Sequence, residues 1–319
     1  MNDIKDIASF IKGNDSFVLA THVNPEGDAL GSAIALSMAL SAIDKKTIVY
    51  DRDPVPEFYK FMPGWERVRN SLDGLNTSSM PLILLDCNDP ERAGVENLTF
   101  KHTAVIDHHE VERGFGDIRW IEPSAPATGL MVYRLIKELG ISITEDIAVN
   151  LYTAIAVDTG TFRYNNTTPE VLRIASSLVE AGALPSVVAE GLYETWSQER
   201  FRLLSKTLET LEIIDGIAIT VITKDMFKDT GASSDDTENF VGYPRMMKDI
   251  NVSALFRELA EGSGWKVSLR SKKDLVNVAV IAESFGGGGH RNAAGYKIKA
   301  DLKTAKELLL KSLKTDLSS

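Results

Sequence analysis

Short apolar runs that end in polar or acidic residues recur through the first half of the chain. Four of them are SFVLATH, KTIVYD, PLILLD and HTAVIDHH. Each is short enough for a buried strand. Longer stretches with a helical pattern follow, among them ALGSAIALSMALSAI, ATGLMVYRLIKELG and TEDIAVNLYTAIAVDTG. This alternation predicts an α/β domain with a doubly wound, mainly parallel sheet.

The pattern changes beyond a helical stretch at 169–182. The segment ALPSVVAEGLYETWSQERFRLLSKTLETLEIIDG predicts a helix, a break near Thr195 and a second, charged helix. Strand-like GIAITVIT, VSALFREL and WKVSLRS follow, and then helical NVAVIAESF. We therefore predict a first domain over 1–195, a helical linker over 196–210 and a smaller α+β domain over 211–319.

The composition is that of an ordinary globular protein, with 44% hydrophobic and 25% charged residues in 319. No apolar run approaches the roughly 20 residues of a membrane span, and the N-terminus does not resemble a secretory signal. We therefore expect a cytoplasmic protein without a membrane partner. The net charge of -10 argues against binding to long duplex nucleic acid and leaves small anionic substrates open.

The single cysteine limits the kinds of metal site that the chain can build. Cys87 alone can form neither an intramolecular disulfide nor a thiolate zinc cage. Any metal must therefore be held by histidines and carboxylates, a ligand set that suits manganese or magnesium better than structural zinc.

Candidate ligands stand where the predicted strands end, which is where open α/β sheets bind ligands. They are His22, Glu26 and Asp28 in HVNPEGD, Asp86 in LLDCND, the triplet Asp107-His108-His109, and Asp158 in AVDTGTF. Each has an ordinary alternative. Asp28 fits a helix N-cap, Asp86 a turn cap and the triplet a hydrogen-bonded loop. Asp158 could be a plain acid at a helix C-terminus, although the helix dipole disfavours one there.

In order and spacing, HVNPEGD, LLDCND, VIDHH and AVDTGTF resemble the four motifs of the DHH phosphoesterases. The resemblance implies two metal sites that share Asp86. It implies that His22 and Glu26 bind one metal, and that Asp28, His108 and Asp158 bind the other. It also implies that His109 faces the substrate phosphate, while Asp107 would orient a ligand histidine. Glu26 departs from the family pattern, which normally has the shorter Asp at that position.

A glycine-rich motif, FGGGGHRNAAG, occupies 285–295 in the second half. It is too glycine-dense for a regular element, so its backbone could cradle an anion, with a flexible loop as the alternative. Bases around it outnumber the acids Asp274 and Glu283, which suggests anion binding. These bases are Lys266, Arg270, Lys272, Lys273, Arg291, Lys297 and Lys299. For Lys272 and Lys273 a solvated face is the simpler interpretation.

GGGGHRNAAG resembles the signature of the DHHA1 domain, which accompanies DHH domains and binds their substrate. The resemblance implies that substrate is contacted by Arg257, Arg270, Gly287, Gly288, Gly289, His290 and Arg291.

Size and layout resemble the bacterial oligoribonuclease and phosphoadenosine-phosphate phosphatase enzymes, or nanoRNases. That likeness implies a manganese-dependent hydrolase with two divalent ions, which cleaves short oligoribonucleotides such as pApA and nucleoside 3',5'-bisphosphates. Its catalytic residues would be Asp86, Asp107, His108 and His109. A homodimer is possible. One alternative is a pyrophosphatase or exopolyphosphatase. Another is a non-catalytic nucleotide sensor, if Glu26 disables a metal site.

Overall fold

The computed structural model describes residues 2–110, 114–260, 263–272 and 275–317, without the side chains of 290 and 314–317. The chain divides into two compact units, Met1–Thr195 and Trp196–Ser319. Each unit has hydrophobic clusters of its own.

A six-stranded parallel sheet forms the centre of the first unit. Its strands are β1 (Ser16–Ala20), β2 (Lys46–Tyr50), β3 (Val68–Arg69), β4 (Leu82–Leu85), β5 (Thr103–Asp107) and β6 (Ile118–Ile121). The spatial order is β3-β2-β1-β4-β5-β6, and every neighbouring pair is parallel. This confirms the predicted α/β fold. The order reverses between β1 and β4, and such a switch point opens a crevice at the carboxyl ends of the strands.

Both faces of this sheet are covered, which is why its strands are continuous apolar runs. The helices are α1 (Ile4–Lys12), α2 (Gly27–Ser41), α3 (Thr128–Glu138), α4 (Glu145–Asp158), α5 (Pro169–Glu180) and α6 (Pro185–Tyr193). Phe17 and Leu19 of β1 pack in the cluster with the helices. Val18 and Ala20, which point the other way, pack against residues between 72 and 95.

Two glycines bring the helices next to the sheet close together. A Cβ on Gly31 of α2 would lie 2.5 Å from the carbonyl oxygen of Asn150 in α4. A Cβ on Gly129 of α3 would lie 2.5 Å from the Cβ of Ala154. Because α2 is buried on nearly all sides, it is apolar all round rather than amphipathic. Its first turn and that of α3 can therefore meet beside the ends of β1 and β4.

The second unit contains a mixed sheet. Its elements are α7 (Gln198–Glu209), β7 (Glu212–Ile214), β8 (Ile217–Ile222), α8 (Lys224–Thr230), β9 (Val252–Glu258), β10 (Trp265–Ser271), α9 (Val278–Ser284), β11 (Gly288–His290), β12 (Ala293–Ile298) and α10 (Leu302–Leu317). The order is β11-β12-β10-β9-β8-β7, and only β8 and β9 pair in parallel. The segment 196–210, which we predict as a linker, contains α7, and Leu203 and Leu204 of α7 pack within this unit.

The expectation that the glycine motif is too glycine-dense for a regular element is wrong. Gly288–His290 form β11, which pairs with β12 from Gly288 opposite Gly295 to His290 opposite Ala293. The backbones approach so closely that a Cβ on Gly289 would lie 2.5 Å from Ala293 O. The motif is rich in glycine because the backbones of two strands approach each other closely here.

Within the described residues, no single helix is long and apolar enough to cross a membrane. Together, α5 and α6 have the length and apolar composition of a membrane span, but the chain bends by 105° between the two helices.

Candidate metal centre

The predicted ligands meet at the carboxyl ends of β1, β4 and β5, beside the point where the strand order reverses. His22 lies two residues beyond β1, Asp86 directly follows β4, and His108 directly follows β5. Three groups of ligand atoms form there, with the atoms of each group within 4.8 Å of one another, and one of them is Asp86 with His108 and His109. The other two groups, which share no residue, are His22 with Glu26 and Asp86, and Asp28 with His108 and Asp158.

Asp86 lies between the two groups and presents one oxygen to each. Its Oδ2 lies 3.5 Å from His22 Nε2, and its Oδ1 lies 3.4 Å from His108 Nε2. The carboxylate is fully buried, and Thr128 Oγ1 donates a hydrogen bond to Oδ1 at 3.0 Å. Asp86 has a φ of 58°, a left-handed conformation that costs energy and is concentrated at functional sites.

Backbone carbonyls fix the tautomers of the two buried histidines. His22 Nδ1 lies 3.0 Å from Val23 O, and His108 Nδ1 lies 3.2 Å from Ala125 O. Since a carbonyl oxygen only accepts, both Nδ1 atoms carry the proton and both Nε2 atoms are turned toward the carboxylates.

Within the part of the chain that the structure describes, three buried atoms of the centre have no hydrogen-bond partner: Nε2 of His22, Nε2 of His108 and Oδ2 of Asp86. Buried polar atoms rarely lack a partner. Divalent cations bind carboxylate oxygens and imidazole nitrogens. A ligand histidine usually donates its other ring N–H to a carbonyl or carboxylate, as both histidines do here. The donor set therefore fits bound divalent metal.

Asp28 caps a helix, although not the one that its position in the sequence indicates. Glu26 holds the N-cap position of α2 and makes no capping bond. Asp28 instead accepts hydrogen bonds from the backbone N–H groups of Thr128 (2.6 Å) and Gly129 (2.7 Å) in the first turn of α3. Ser32 Oγ donates to it at 3.1 Å. These bonds hold Asp28 Oδ2 3.7 Å from His108 Nε2.

His109 is held by a chain of hydrogen bonds that runs through Asp107 to Asn88. Asp107 Oδ1 lies 2.8 Å from His109 Nδ1 and also accepts from the His109 N–H. Asn88 Nδ2 donates to Asp107 Oδ2 at 2.7 Å. The partner of Asp107 is therefore His109, while His108 Nδ1 faces Ala125 O, and the role of Asp107 in orienting a ligand histidine stays a prediction.

The remaining two acids come from a helix end and from the first loop. Asp158 is the last residue of α4, and its Oδ2 lies 3.2 Å from His108 Nε2. The chain then turns through Thr161 and Phe162, with φ of 58° and 61°. Glu26 Oε1 lies 3.9 Å from His22 Nε2, and half of the Glu26 side chain (50%) is exposed. Glu26 is thus the most accessible acid of the two groups.

Without bound metal, the histidines act as cations among the acids. Burial opposes protonation of His22 and His108, but contacts with Asp86 and Asp158 outweigh it and raise their pKa to about 9 and about 12. Partial burial, and then the neighbouring Asp158 and Asp86, raise the pKa of the half-exposed Glu26. Burial alone would raise the pKa of Asp86, yet His108 and His22 hold that pKa below its usual range. In contrast, burial and neighbouring carboxylates raise the pKa of Asp28.

Sequence reasoning missed the residues that support the ligands. Thr21 Oγ1 donates to the buried Asp51 at 2.5 Å, and the N–H of Asn24 donates to Asp53 at 2.7 Å. Together these bonds hold the loop that carries His22. Asp51 ends the apolar run KTIVYD, so the signal that marked Asp86 could have found it. Ser32 supports Asp28, whereas the hydroxyl of Thr159 bonds its own helix.

The predicted substrate residues all belong to the second unit. Arg257 is in β9 and Arg270 in β10, where they face Lys266 and Ser253 across the strands and so lie at opposite ends of β10. Gly287, Gly288, Gly289, His290 and Arg291 lie before, in and after β11. The side chain of His290, and all of Lys273 and Asp274, are outside the described residues.

Comparisons with known proteins match two separate parts of the chain to two domain families. Residues 16–155 match the model of the DHH family, N-terminal domain, and 216–318 match that of the DHHA1 domain. The chain is 36% identical to the bifunctional oligoribonuclease and PAP phosphatase NrnA of Thermus thermophilus, over 94% of this chain and 90% of that protein. The NrnA of Bacillus subtilis is 28% identical, over 89% and 90%. An exopolyphosphatase-related protein of Bacteroides fragilis superposes with a TM-score of 0.91 at 28% identity, over 98% and 95%.

Proposed function

The chain belongs to the DHH family of phosphoesterases, and we propose that it uses two manganese ions to hydrolyse short oligoribonucleotides, such as pApA, and nucleoside 3',5'-bisphosphates. One observation carries this proposal. The carboxylate of Asp86 presents its two oxygens to two separate groups of unsatisfied or charged ligand atoms. A single shared carboxylate between two groups is the arrangement that a pair of cations requires.

We assign His22 and Glu26 to one metal ion, and Asp28, His108 and Asp158 to the other, with Asp86 shared. When bound, such cations would lower the pKa of a bound water and neutralise charge on the phosphate oxygens. The carboxylate of Asp86 offsets the repulsion between them. Two nitrogens and several carboxylate oxygens, with no thiolate, favour manganese over structural zinc.

The two histidines of the triplet Asp107-His108-His109 have different roles. His108 is a metal ligand, because its Nε2 faces Asp158, Asp86 and Asp28. His109 is turned by Asp107, which binds Nδ1 and leaves Nε2 for a substrate oxygen. The bond to Asp107 also raises the pKa of His109, so the ring is more often a cation that can hold phosphate or donate a proton.

The proposed substrates come from two sources. Both NrnA relatives carry oligoribonuclease and PAP phosphatase activity in their names, and each aligns along about nine-tenths of its length. The DHHA1 domain would hold the substrate through Arg257, Arg270, Gly287, Gly288, Gly289, His290 and Arg291. The protein would act in the cytoplasm.

A second candidate is hydrolysis of polyphosphate or pyrophosphate. The exopolyphosphatase-related protein of Bacteroides fragilis has nearly the same fold. The same two groups of ligands suit any phosphoanhydride or phosphodiester. A nucleotide sensor without activity would require that Glu26 abolish the first metal site.

One assay separates these functions. Purified protein with manganese is offered pApA, a five-nucleotide RNA, phosphoadenosine phosphate, pyrophosphate and polyphosphate, with Asp86→Asn as the inactive reference. We expect the native protein to cleave pApA and phosphoadenosine phosphate. Preference for polyphosphate would support the second candidate instead, and no turnover of any substrate would reject the enzyme.

A further inference from the structure

The two groups of ligands that we assign to separate metal ions differ in charge. We call Asp28, His108 and Asp158 the inner group, and His22 and Glu26 the outer group, with Asp86 common to both. The inner group has two carboxylates of its own, whereas the outer group has one. The affinity of a cation site rises with the number of charged ligands and with their rigidity. By charge alone, the inner group should therefore bind its ion more tightly.

The carboxylates of the inner group have little freedom to move. Asp28 is fully buried and accepts backbone hydrogen bonds from Thr128 at 2.6 Å and from Gly129 at 2.7 Å. The hydroxyl of Ser32 donates a third hydrogen bond to Asp28 at 3.1 Å. Asp158 is the last residue of α4, and only 18% of its side chain is exposed. An ion that binds to the inner group therefore finds its ligands already in place.

Glu26 of the outer group has no such support. It is the N-cap residue of α2 but makes no capping hydrogen bond, and half of its side chain (50%) is exposed. In the residues that the structure describes, no group donates a hydrogen bond to its carboxylate, whose Oε1 lies 3.9 Å from Nε2 of His22. A glutamate side chain loses rotamer freedom when an ion fixes it, and this loss opposes binding.

The backbone on both sides of Glu26 is held in place. The N–H of Asn24 donates to Asp53 Oδ2 at 2.7 Å. Gly27 lies so close to α4 that a Cβ there would be 2.6 Å from Cγ2 of Val157. Because the backbone has no room to withdraw, the side chain itself must take up the extra methylene that distinguishes Glu26 from an aspartate. This places the carboxylate toward solvent.

We propose that the outer group forms an exchangeable metal site, and that the occupancy of this site switches hydrolysis on. The inner group keeps its ion, while the ion held by His22 and Glu26 equilibrates with free divalent cation. This inference rests on the proposed function and adds regulation to it. The rate follows the concentration of free manganese in a range where the inner ion is already bound, and the length of Glu26 sets that range.

The test measures the manganese bound per chain as a function of free manganese, which electron paramagnetic resonance detects through the signal of the unbound ion. Native protein is compared with Glu26→Asp, Asp158→Asn and Glu66→Asp. Glu66→Asp is the matched control, because it makes the same change at an exposed glutamate that belongs to neither group. Hydrolysis of pApA is measured at each manganese concentration.

We expect native protein to bind manganese in two steps. The second step should need about tenfold or more free manganese than the first, which is the usual effect of missing support for a ligand. Glu26→Asp should move the second step to lower manganese and leave the first unchanged, because a shorter side chain loses less freedom. Asp158→Asn should weaken the first step, and Glu66→Asp should reproduce the native curve.

Hydrolysis should follow the second step. Half-maximal cleavage of pApA should coincide with the second step in native protein and move with it in Glu26→Asp. Because Glu26 is half exposed, its exchange for Asp should leave the fold intact. The comparison with native protein therefore does not depend on whether Asp158→Asn folds.

Four results would overturn the inference. They are two ions bound in a single step, a second step that Glu26→Asp does not strengthen, a second step that Asp158→Asn removes while the first remains, and maximal hydrolysis with only one ion bound. Failure of the proposed function gives a different result. Native protein would then hydrolyse no pApA at any manganese concentration, while the binding curves would still decide which group holds the exchangeable ion.

Discussion

At the scale of single residues, the centre depends on side chains that touch no metal-facing atom. Asn88 holds Asp107, and Asp107 holds the His109 ring through Nδ1. Both Asn88 and Asp107 are buried, so neither amide nor carboxylate has water as a substitute partner.

We predict that Asn88→Ala lowers kcat for pApA by about 10- to 100-fold, the usual cost of removing such a supporting bond. The amount of bound manganese should stay the same, because Asn88 contacts no proposed ligand. Asn97→Ala removes an exposed asparagine and is the matched control. An unchanged kcat, or a loss of metal together with a loss of kcat, would contradict the assignment.

Protons and metal compete for the same atoms. With pKa values of about 9 and about 12, His22 and His108 are protonated at pH 7 in the metal-free protein. Metal binding must remove these protons, so manganese affinity should rise with pH and at least two protons should be released per chain. Calorimetric titrations in two buffers with different ionisation heats measure this number. Zero release would show that the metal binds elsewhere.

The sequence indicates which residue types could bind metal, but not how they are held. His22, Asp86 and His108 could be predicted because each ends or follows an apolar strand. The partners of Asp28 could not, because Thr128 and Gly129 lie 100 and 101 residues away. Asn88 likewise reaches Asp107 only because β4 and β5 are neighbours in the sheet.

At the scale of elements, periodicity predicted the long segments and failed at the glycine motif. Strands β1, β4 and β5 were predictable because both faces of the sheet are covered and the runs are mostly apolar. Strand β11 carries no such pattern, since it exists through backbone pairing with β12. Intrinsic propensity, which disfavours glycine in strands, gave the wrong expectation there.

The close approach of β11 and β12 gives a prediction with a built-in control. Gly289→Ala should destabilise the second unit by about 2 kcal/mol or more, because its φ is 141° and its Cβ would clash with the backbone of β12. A Cβ on Gly288 meets nothing within 4 Å, so Gly288→Ala should cost nothing measurable. Urea unfolding of both variants provides the comparison. Equal stabilities would mean that β11 is not paired as described.

At the scale of the whole molecule, the two units separate two kinds of chemistry. The first gathers buried acids and histidines at a switch point between parallel strands. The second offers a sheet face with cations and small residues. The net charge of -10 describes neither of these surfaces, because it averages over the whole chain.

The central claim is that Asp86 joins two manganese ions into one hydrolytic centre. Its most direct test is the manganese bound per chain after equilibrium dialysis, in native protein and in Asp86→Asn, alongside pApA hydrolysis. Asparagine tolerates the left-handed backbone at position 86, so the variant should remain folded. We predict two ions per native chain, and at most one ion and no hydrolysis in the variant. One ion or none in active native protein, or full activity in the variant, would contradict the claim.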